Sequence, residues 1–174
     1  MILCGDEAAL YLQATLQRVW APLGQTPGIK ADPGRNCTHF YGTLNLHTGG
    51  ETLLCSPLMN AQVSALHLQQ LLSEYPGVPL LLFWDRAPWH KGPAIRSVLS
   101  ANPRLEIVWF PPASPELNPQ EQVWKATREA VSHNHQYVKL PELAEAFESH
   151  LKTTAFPCSL LDKHDYHTLC MMSK

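Results

Sequence analysis

The sequence predicts an α/β fold: a mixed five-stranded sheet flanked by helices. Three observations predict it. Segments with strand and helix character follow in the order strand, hairpin strands, helix, strand, helix, strand, helix, helix. The strand–helix–strand succession in the second half implies parallel pairing, whereas the glycine-containing connection His47-Thr48-Gly49-Gly50 implies an antiparallel hairpin. The stretch from Pro79 to Trp84 is almost wholly apolar, as expected of a strand covered on both faces.

Met1 to Gly5 is a short apolar run that reads as a buried strand with its polar terminus at Asp6 and Glu7. From Gln17 to Arg35, Pro22, Gly24, Pro27, Gly28, Pro33 and Gly34 mark turns and an exposed connection. Thr38 to Leu46 and Glu51 to Cys55 are rich in strand-forming residues. Asn60 supplies a cap for a helix running to about Tyr75, with Val63, Leu66 and Leu71 inward, and Pro76-Gly77 ends it. Gly92 to Ala101 reads as a short helix with Ile95, Val98 and Leu99 inward, and Glu106 to Phe110 as another buried strand. A proline-rich loop leads to Asn118 and Pro119, a cap followed by a residue suited to the first helical position. The helix beyond carries Glu121, Val123, Trp124, Thr127 and Val131. A last helix starts near Pro141, with Leu143, Phe147 and Leu151 spaced at i, i+4 and i+8. Residues 1–154 thus form one expected domain, and 155–174 a C-terminal tail.

At 174 residues the chain buries roughly 70% of its unfolded surface, enough for one packed core. A hydrophobic fraction of 45% excludes intrinsic disorder. Thirteen Lys and Arg against fifteen Asp and Glu leave a net charge of −2, which excludes holding nucleic acid by overall charge alone. The most apolar run, Val78 to Trp84, is far shorter than the roughly 20 residues needed to cross a bilayer, and Met1 to Asp6 does not read as a secretory signal. No membrane association is expected. Five cysteines, odd in number and without a Cys-x-x-Cys pair, read as free thiols in a reducing compartment. Cys158, His164, His167 and Cys170 are zinc-ligand types, but their spacing matches no standard zinc module, and an ordinary tail is the plainer reading.

Three acids stand where a buried element meets a connection: Asp6, Asp85 and Glu121. Neighbouring parallel strands lie about 4.8 Å apart, so Asp6 and Asp85 would meet at one end of the sheet. Strand carboxyl ends are where open α/β sheets bind ligands. Converging carboxylates repel one another and call for a hard cation, Mg²⁺ or Mn²⁺. Two such ions about 3.5–4 Å apart can clamp the attacking and leaving oxygens of a phosphodiester. Each acid also has a plainer role. Asp6 serves as a turn residue, Asp85 as an Asx-turn before Pro88, and Glu121 as the third helical residue of a capping box begun by Asn118.

The surrounding motifs carry more. Trp84-Asp85-Arg86-Ala87-Pro88-Trp89-His90, followed by Phe110-Pro111-Pro112-Ala113-Ser114-Pro115-Glu116-Leu117-Asn118-Pro119-Gln120-Glu121-Gln122-Val123-Trp124, resembles the mariner superfamily of DDE transposases, and within it the bacterial insertion-sequence branch of DDE endonucleases. That family shows Asp-Asn-Ala-x-x-His and then Pro-Pro-Tyr-Ser-Pro-Asp-Leu-Asn-Pro-Ile-Glu-x-x-Trp. The 35 residues between Asp85 and Glu121 are close to its usual spacing, and Asp6-Glu7 with Val19-Trp20-Ala21-Pro22-Leu23-Gly24-Gln25 is similar to its first acid and Trp-x-Pro-x-Gly turn. The likeness spans about Met1 to Leu151. Arg86 replaces the family's Asn and Ala113 its Tyr.

The resemblance implies an RNase H-like catalytic domain in which Asp6, Asp85 and Glu121 bind two Mg²⁺ or Mn²⁺ ions. It implies DNA cleavage at the ends of an insertion sequence and strand transfer to target DNA, by a homodimer in the bacterial cytoplasm associated with the nucleoid. Arg86, His90, Lys91, Lys125 and Arg128 are candidate DNA contacts, with Arg96 nearby; a plain solvated face is the alternative for the lysines and arginines, and a helix-entry hydrogen bond or a carboxylate-orienting role for His90. Trp84, Trp89, Trp109 and Trp124 suit base stacking or the core. The family's helix-turn-helix DNA-binding part is expected on a separate or fused chain, because only five residues precede Asp6. Arg86 beside the second acid keeps open an inactive or truncated remnant acting as an assembly partner. A general RNase H-like nuclease is a further alternative.

Overall fold

The computed structural model describes residues 1–12, 20–25, 28, 36–133 and 137–157. Its sheet has five strands: β1 (Ile2–Tyr11), β2 (Cys37–Asn45), β3 (Glu51–Ser56), β4 (Leu80–Trp84) and β5 (Leu105–Trp109), in the order β3-β2-β1-β4-β5. β1–β2 and β2–β3 are antiparallel, and β1–β4 and β4–β5 are parallel. Four helices pack on it: α1 (Ala61–Glu74), α2 (Pro93–Ala101), α3 (Pro119–Thr127) and α4 (Leu140–Thr153).

Strand alternation divides β1 between two cores. Cys4, Ala8 and Leu10 join Phe40, Leu44, Val123, Trp124, Phe147 and Leu151 under α3 and α4. Leu3 joins Leu68, Leu71, Leu82, Trp84 and Ile95 under α1 and α2. Helix boundaries follow the sequence signals. The Asn60 side chain accepts from Val63 N–H at 3.0 Å, and Gly92 and Asn118 stand at the caps of α2 and α3.

Two expectations need correction. β1 does not stop at Asp6 but continues to Tyr11, so Asp6 lies within a strand. The parallel ladder with β4 ends at Cys4–Phe83, while the antiparallel ladder with β2 carries β1 on to the Tyr11–Cys37 pair. Leu66 is 55% exposed; α1 instead buries Ser64 and His67 beside Ala65, Leu68 and Leu71, because a small polar residue and a hydrogen-bonded imidazole fill its stripe. Cys37 and Cys55 are free thiols in strands, and Cys4 is buried in β1. The Cys158–Cys170 cluster lies outside the described residues.

Candidate active site

Beyond the Cys4–Phe83 pair, two more residues of the same register set Asp6 level with Asp85. Both lie on the α3 face, opposite the apolar side chains of Leu82 and Trp84. Asn118 brings in the third acid. Its side-chain oxygen accepts from Gln120 N–H at 3.2 Å while its amide donates to the Gly5 carbonyl at 3.2 Å, so the start of α3 is tied to β1 beside Asp6. Asp6, Asp85 and Glu121 line one open cleft of about 350 Å³ with Arg86, Phe110 and the proline-rich loop.

The capping-box role for Glu121 does not hold. The Asn118 N–H that would receive its carboxylate donates instead to the Pro115 carbonyl at 3.0 Å. The Asx-turn role of Asp85 does form, with Ala87 N–H donating to Oδ1 at 3.0 Å. The Pro22–Gly24 turn also forms: Gln25 N–H donates to the Pro22 carbonyl at 3.0 Å and Gly24 has φ +82°.

Burial and then the charges of Glu121, Glu7 and Asp85 push the Asp6 carboxyl up to about 7, although Trp124 Nε1–H donates to its Oδ2 at 3.1 Å. Asp85 is held below the usual carboxylate range chiefly by its hydrogen bond with His90, against the effect of partial burial. The donor set is therefore three hard carboxylate oxygen groups in one cleft, the charge on one of them disfavoured by burial and then by its neighbours' charge. That chemistry fits a divalent ion. The side chains do not close on a point: among the described residues no three His, Cys, Asp or Glu are gathered closely enough to hold one ion.

His90 is buried, with its Nδ1 2.7 Å from Asp85 Oδ1 and its Nε2 2.8 Å from Glu7. A DNA contact is closed to it by this burial, and its two ring nitrogens bridge two carboxylates. Burial alone would lower its pKa, but the hydrogen bonds it donates to Asp85 and Glu7 outweigh this and push it up to about 9. Of the candidate DNA contacts only Arg86 lines the cleft, its Nε donating to the Phe110 carbonyl at 3.3 Å. Lys91, Arg96 and Lys125 are exposed outside it, and Arg128 is half-buried. Trp84 and Trp124 are core residues, out of reach of bases, and Trp109 stacks on Trp84.

The sequence matches the DDE superfamily endonuclease family over residues 1–144. The chain belongs to that family. This DDE endonuclease-family chain is 27% identical over 157 residues to the insertion element IS630 uncharacterized 39 kDa protein of Shigella sonnei, covering 87% of this chain and 45% of that one. It is 28% identical over 92 residues to the uncharacterized protein y4pE/y4sA of Sinorhizobium fredii (strain NBRC 101917 / NGR234), covering 52% of this chain and 65% of that one. Among solved structures, the Mos1 transposase paired-end complex with left transposon end superposes with a TM-score of 0.65 at 19% identity, over 88% of this chain and 48% of that one. The catalytic domain of Mos1 mariner transposase does so at 0.59 and 15%, over 88% and 70%. The mixed sheet with its helices is thus the RNase H-like fold implied by the sequence motifs. The chain spans about half the length of the insertion-element relative and of the paired-end transposase chain.

Sequence reasoning passed over Glu7, whose side chain is buried against Trp89 and His90, and the Trp124 bond to Asp6. The signal for Glu7 was present: Ala8-Ala9-Leu10-Tyr11-Leu12 keeps the run apolar after the acids, so the strand had to carry both through.

Proposed function

We propose that this chain is the catalytic domain of a transposase that cuts DNA at the ends of an insertion sequence and joins the freed 3′ ends to target DNA. Asp6, Asp85 and Glu121 would hold two Mg²⁺ or Mn²⁺ ions. The observation that carries this reading is that three acids far apart in sequence line a single cleft in a chain of the DDE endonuclease family. Related structures bear on the cofactor and the partner, since Mos1 mariner paired-end complexes were solved with Mn and with Mg.

Bound divalent ions would supply an activated water or 3′-hydroxyl and neutralise charge on the phosphate undergoing in-line displacement. The residues provide the positioning on which such chemistry depends. Trp124 fixes one oxygen of Asp6. Ala87 N–H and His90 occupy Oδ1 of Asp85, which leaves Oδ2 for a ligand. Arg86 at the cleft wall offers a guanidinium to a DNA phosphate, and Lys91, Lys125 and Arg128 extend the contact outward. Recognition of the element ends belongs to a helix-turn-helix part on a separate or fused chain, and the active complex is a homodimer at the bacterial nucleoid. Residues 155–174 are a tail to the catalytic domain of residues 1–154.

Glu121→Gln tests the reading, because it removes one charge from the cleft while Asn118 still caps α3. Wild-type protein should gain thermal stability on Mn²⁺ titration and nick supercoiled plasmid in a Mn²⁺-dependent way. The variant should do neither, and its ion-free form should melt no lower than wild type, since Glu121 repels Asp6. Mn²⁺ binding without nicking by the wild type would favour the inactive-remnant reading, which Arg86 in the cleft supports. Equal Mn²⁺ responses in both proteins would remove Glu121 from the site.

A further inference from the structure

Glu7 is a carboxylate with no route to the cleft. It neighbours Asp6 on β1, so alternation sends its side chain to the other face of the sheet. There it is only 3% exposed. Burial of an ionised carboxylate is unfavourable unless donors surround it. Trp89 Nε1–H donates to Oε2 at 2.8 Å, and His90 Nε2 lies 2.8 Å from both carboxylate oxygens. The other ring nitrogen of His90 meets Asp85 twice, at 2.7 Å from Oδ1 and 3.0 Å from its backbone carbonyl. The imidazole stacks on Trp84, with ring centroids 3.6 Å apart and planes inclined by 26°. Asp85, by contrast, is 49% exposed and follows the last residue of β4. Without a hold from behind, its carboxylate would sample several rotamers.

We propose that Glu7 is a positioning residue for the cleft, anchoring His90 so that His90 fixes the direction of the Asp85 carboxylate. The ligand it serves is the divalent cation of the preceding section, and the inference rests on that reading. A purely structural ion pair would contribute to stability and leave ion affinity alone. A carboxylate–histidine–carboxylate chain that orients a ligand acts on affinity; loss of such outer partners lowers metal affinity by about 10–100-fold.

The test is a double-mutant cycle on Mn²⁺ affinity, read by calorimetry on the full chain, with urea stability measured alongside. Glu7→Gln keeps the size of the side chain but weakens its hold on His90, and His90→Asn removes the link. Each single variant should weaken Mn²⁺ binding by about 10-fold or more, and Glu7→Gln should add less than twofold in the His90→Asn background. Should Glu7→Gln fail to fold, Glu7→Asp takes its place, since it keeps the charge and draws it one methylene away from His90. Folded Glu7 variants that bind Mn²⁺ within twofold of wild type overturn the inference, as does a full loss repeated in the His90→Asn background. If wild-type protein binds no Mn²⁺, the metal reading itself falls and this one with it.

Discussion

Gly42 stands directly opposite Asp6 in the β1–β2 ladder, and its missing side chain is what admits Trp124 to Asp6. A Cβ at residue 42 would lie 2.4 Å from Trp124 Cη2 and 2.6 Å from Gln120 Nε2. α3 can approach the sheet this closely only over a glycine, and the same approach brings Glu121 to the cleft.

Gly42→Ala should therefore destabilise the fold by about 1–3 kcal/mol, the usual range for overpacking. It should also displace Trp124 from Asp6. Urea unfolding followed by circular dichroism measures the first effect. The near-ultraviolet signal of the native state, sensitive to the Trp124 environment, reports the second. A midpoint unchanged within error would mean that α3 has slack over the sheet, contrary to the close contact described.

Asn118 offers a way to separate capping from tethering. Asn118→Ala loses both the Gln120 N–H cap and the bond to the Gly5 carbonyl, and should cost about 1–3 kcal/mol. Asn118→Asp keeps a good cap, yet faces the Gly5 carbonyl with an acceptor and adds charge near Glu121 and Asp6. It should melt below wild type as well. Full recovery of the melting temperature by Asp would show that capping alone matters and that the tie to β1 contributes nothing.

The sheet, its mixed pairing and the four helices were legible because each rests on local chemistry. The apolar run at 80–84, the glycine-bearing hairpin and the caps Asn60 and Asn118 act within a few residues of where they stand. The trio of acids was legible through the motifs around Asp85 and Glu121. Asp6 and Glu7 were misplaced at a strand end because polar residues in sequence read as solvent-facing. What buries Glu7 is Trp89 and His90, more than 80 residues away, and single-chain periodicity carries no sign of that pairing. Gly42 was equally silent, since its importance lies in the Trp124 ring on the other side of a ladder.

Arg104 supplies a control at the far end of the sheet. Its guanidinium donates to the carbonyls of Leu72, Tyr75 and Val78, each at 2.7 Å, and so closes the C-terminal end of α1. Lysine cannot reproduce that planar fork. Arg104→Lys should lower stability by about 1.5–3 kcal/mol, as for hydrogen bonds from a charged group. Mn²⁺ affinity should stay at the wild-type value, because Leu80 beside Arg104 begins the strand that Asp85 follows. A loss of affinity equal to that of the cleft variants would argue that the site depends on global stability rather than on local positioning.

Glu51 makes stability depend on pH. Burial pushes its carboxyl up to about 8, only partly offset by the hydrogen bond from Gln120 Nε2 at 3.0 Å. Below the ordinary value of 4.5 the group is protonated in both folded and unfolded chains and contributes no pH dependence. Between there and about 8 the unfolded chain ionises while the folded one keeps its proton, so stability falls as pH rises. Above about 8 both forms are ionised and the loss is complete. Asp6 and His90, also pushed up, act in the same direction, whereas His67, pulled down to about 3 by burial and by His90, lowers stability as pH falls below its ordinary 6.5. Comparison with Glu51→Gln cancels those shared contributions. The variant can still accept from Gln120, and its advantage over wild type should grow from pH 5 to pH 8 to on the order of a few kcal/mol, then level off. Urea titrations of both proteins at pH 5, 6.5, 8 and 9 provide the check, and parallel curves across that series would place the Glu51 charge in contact with solvent.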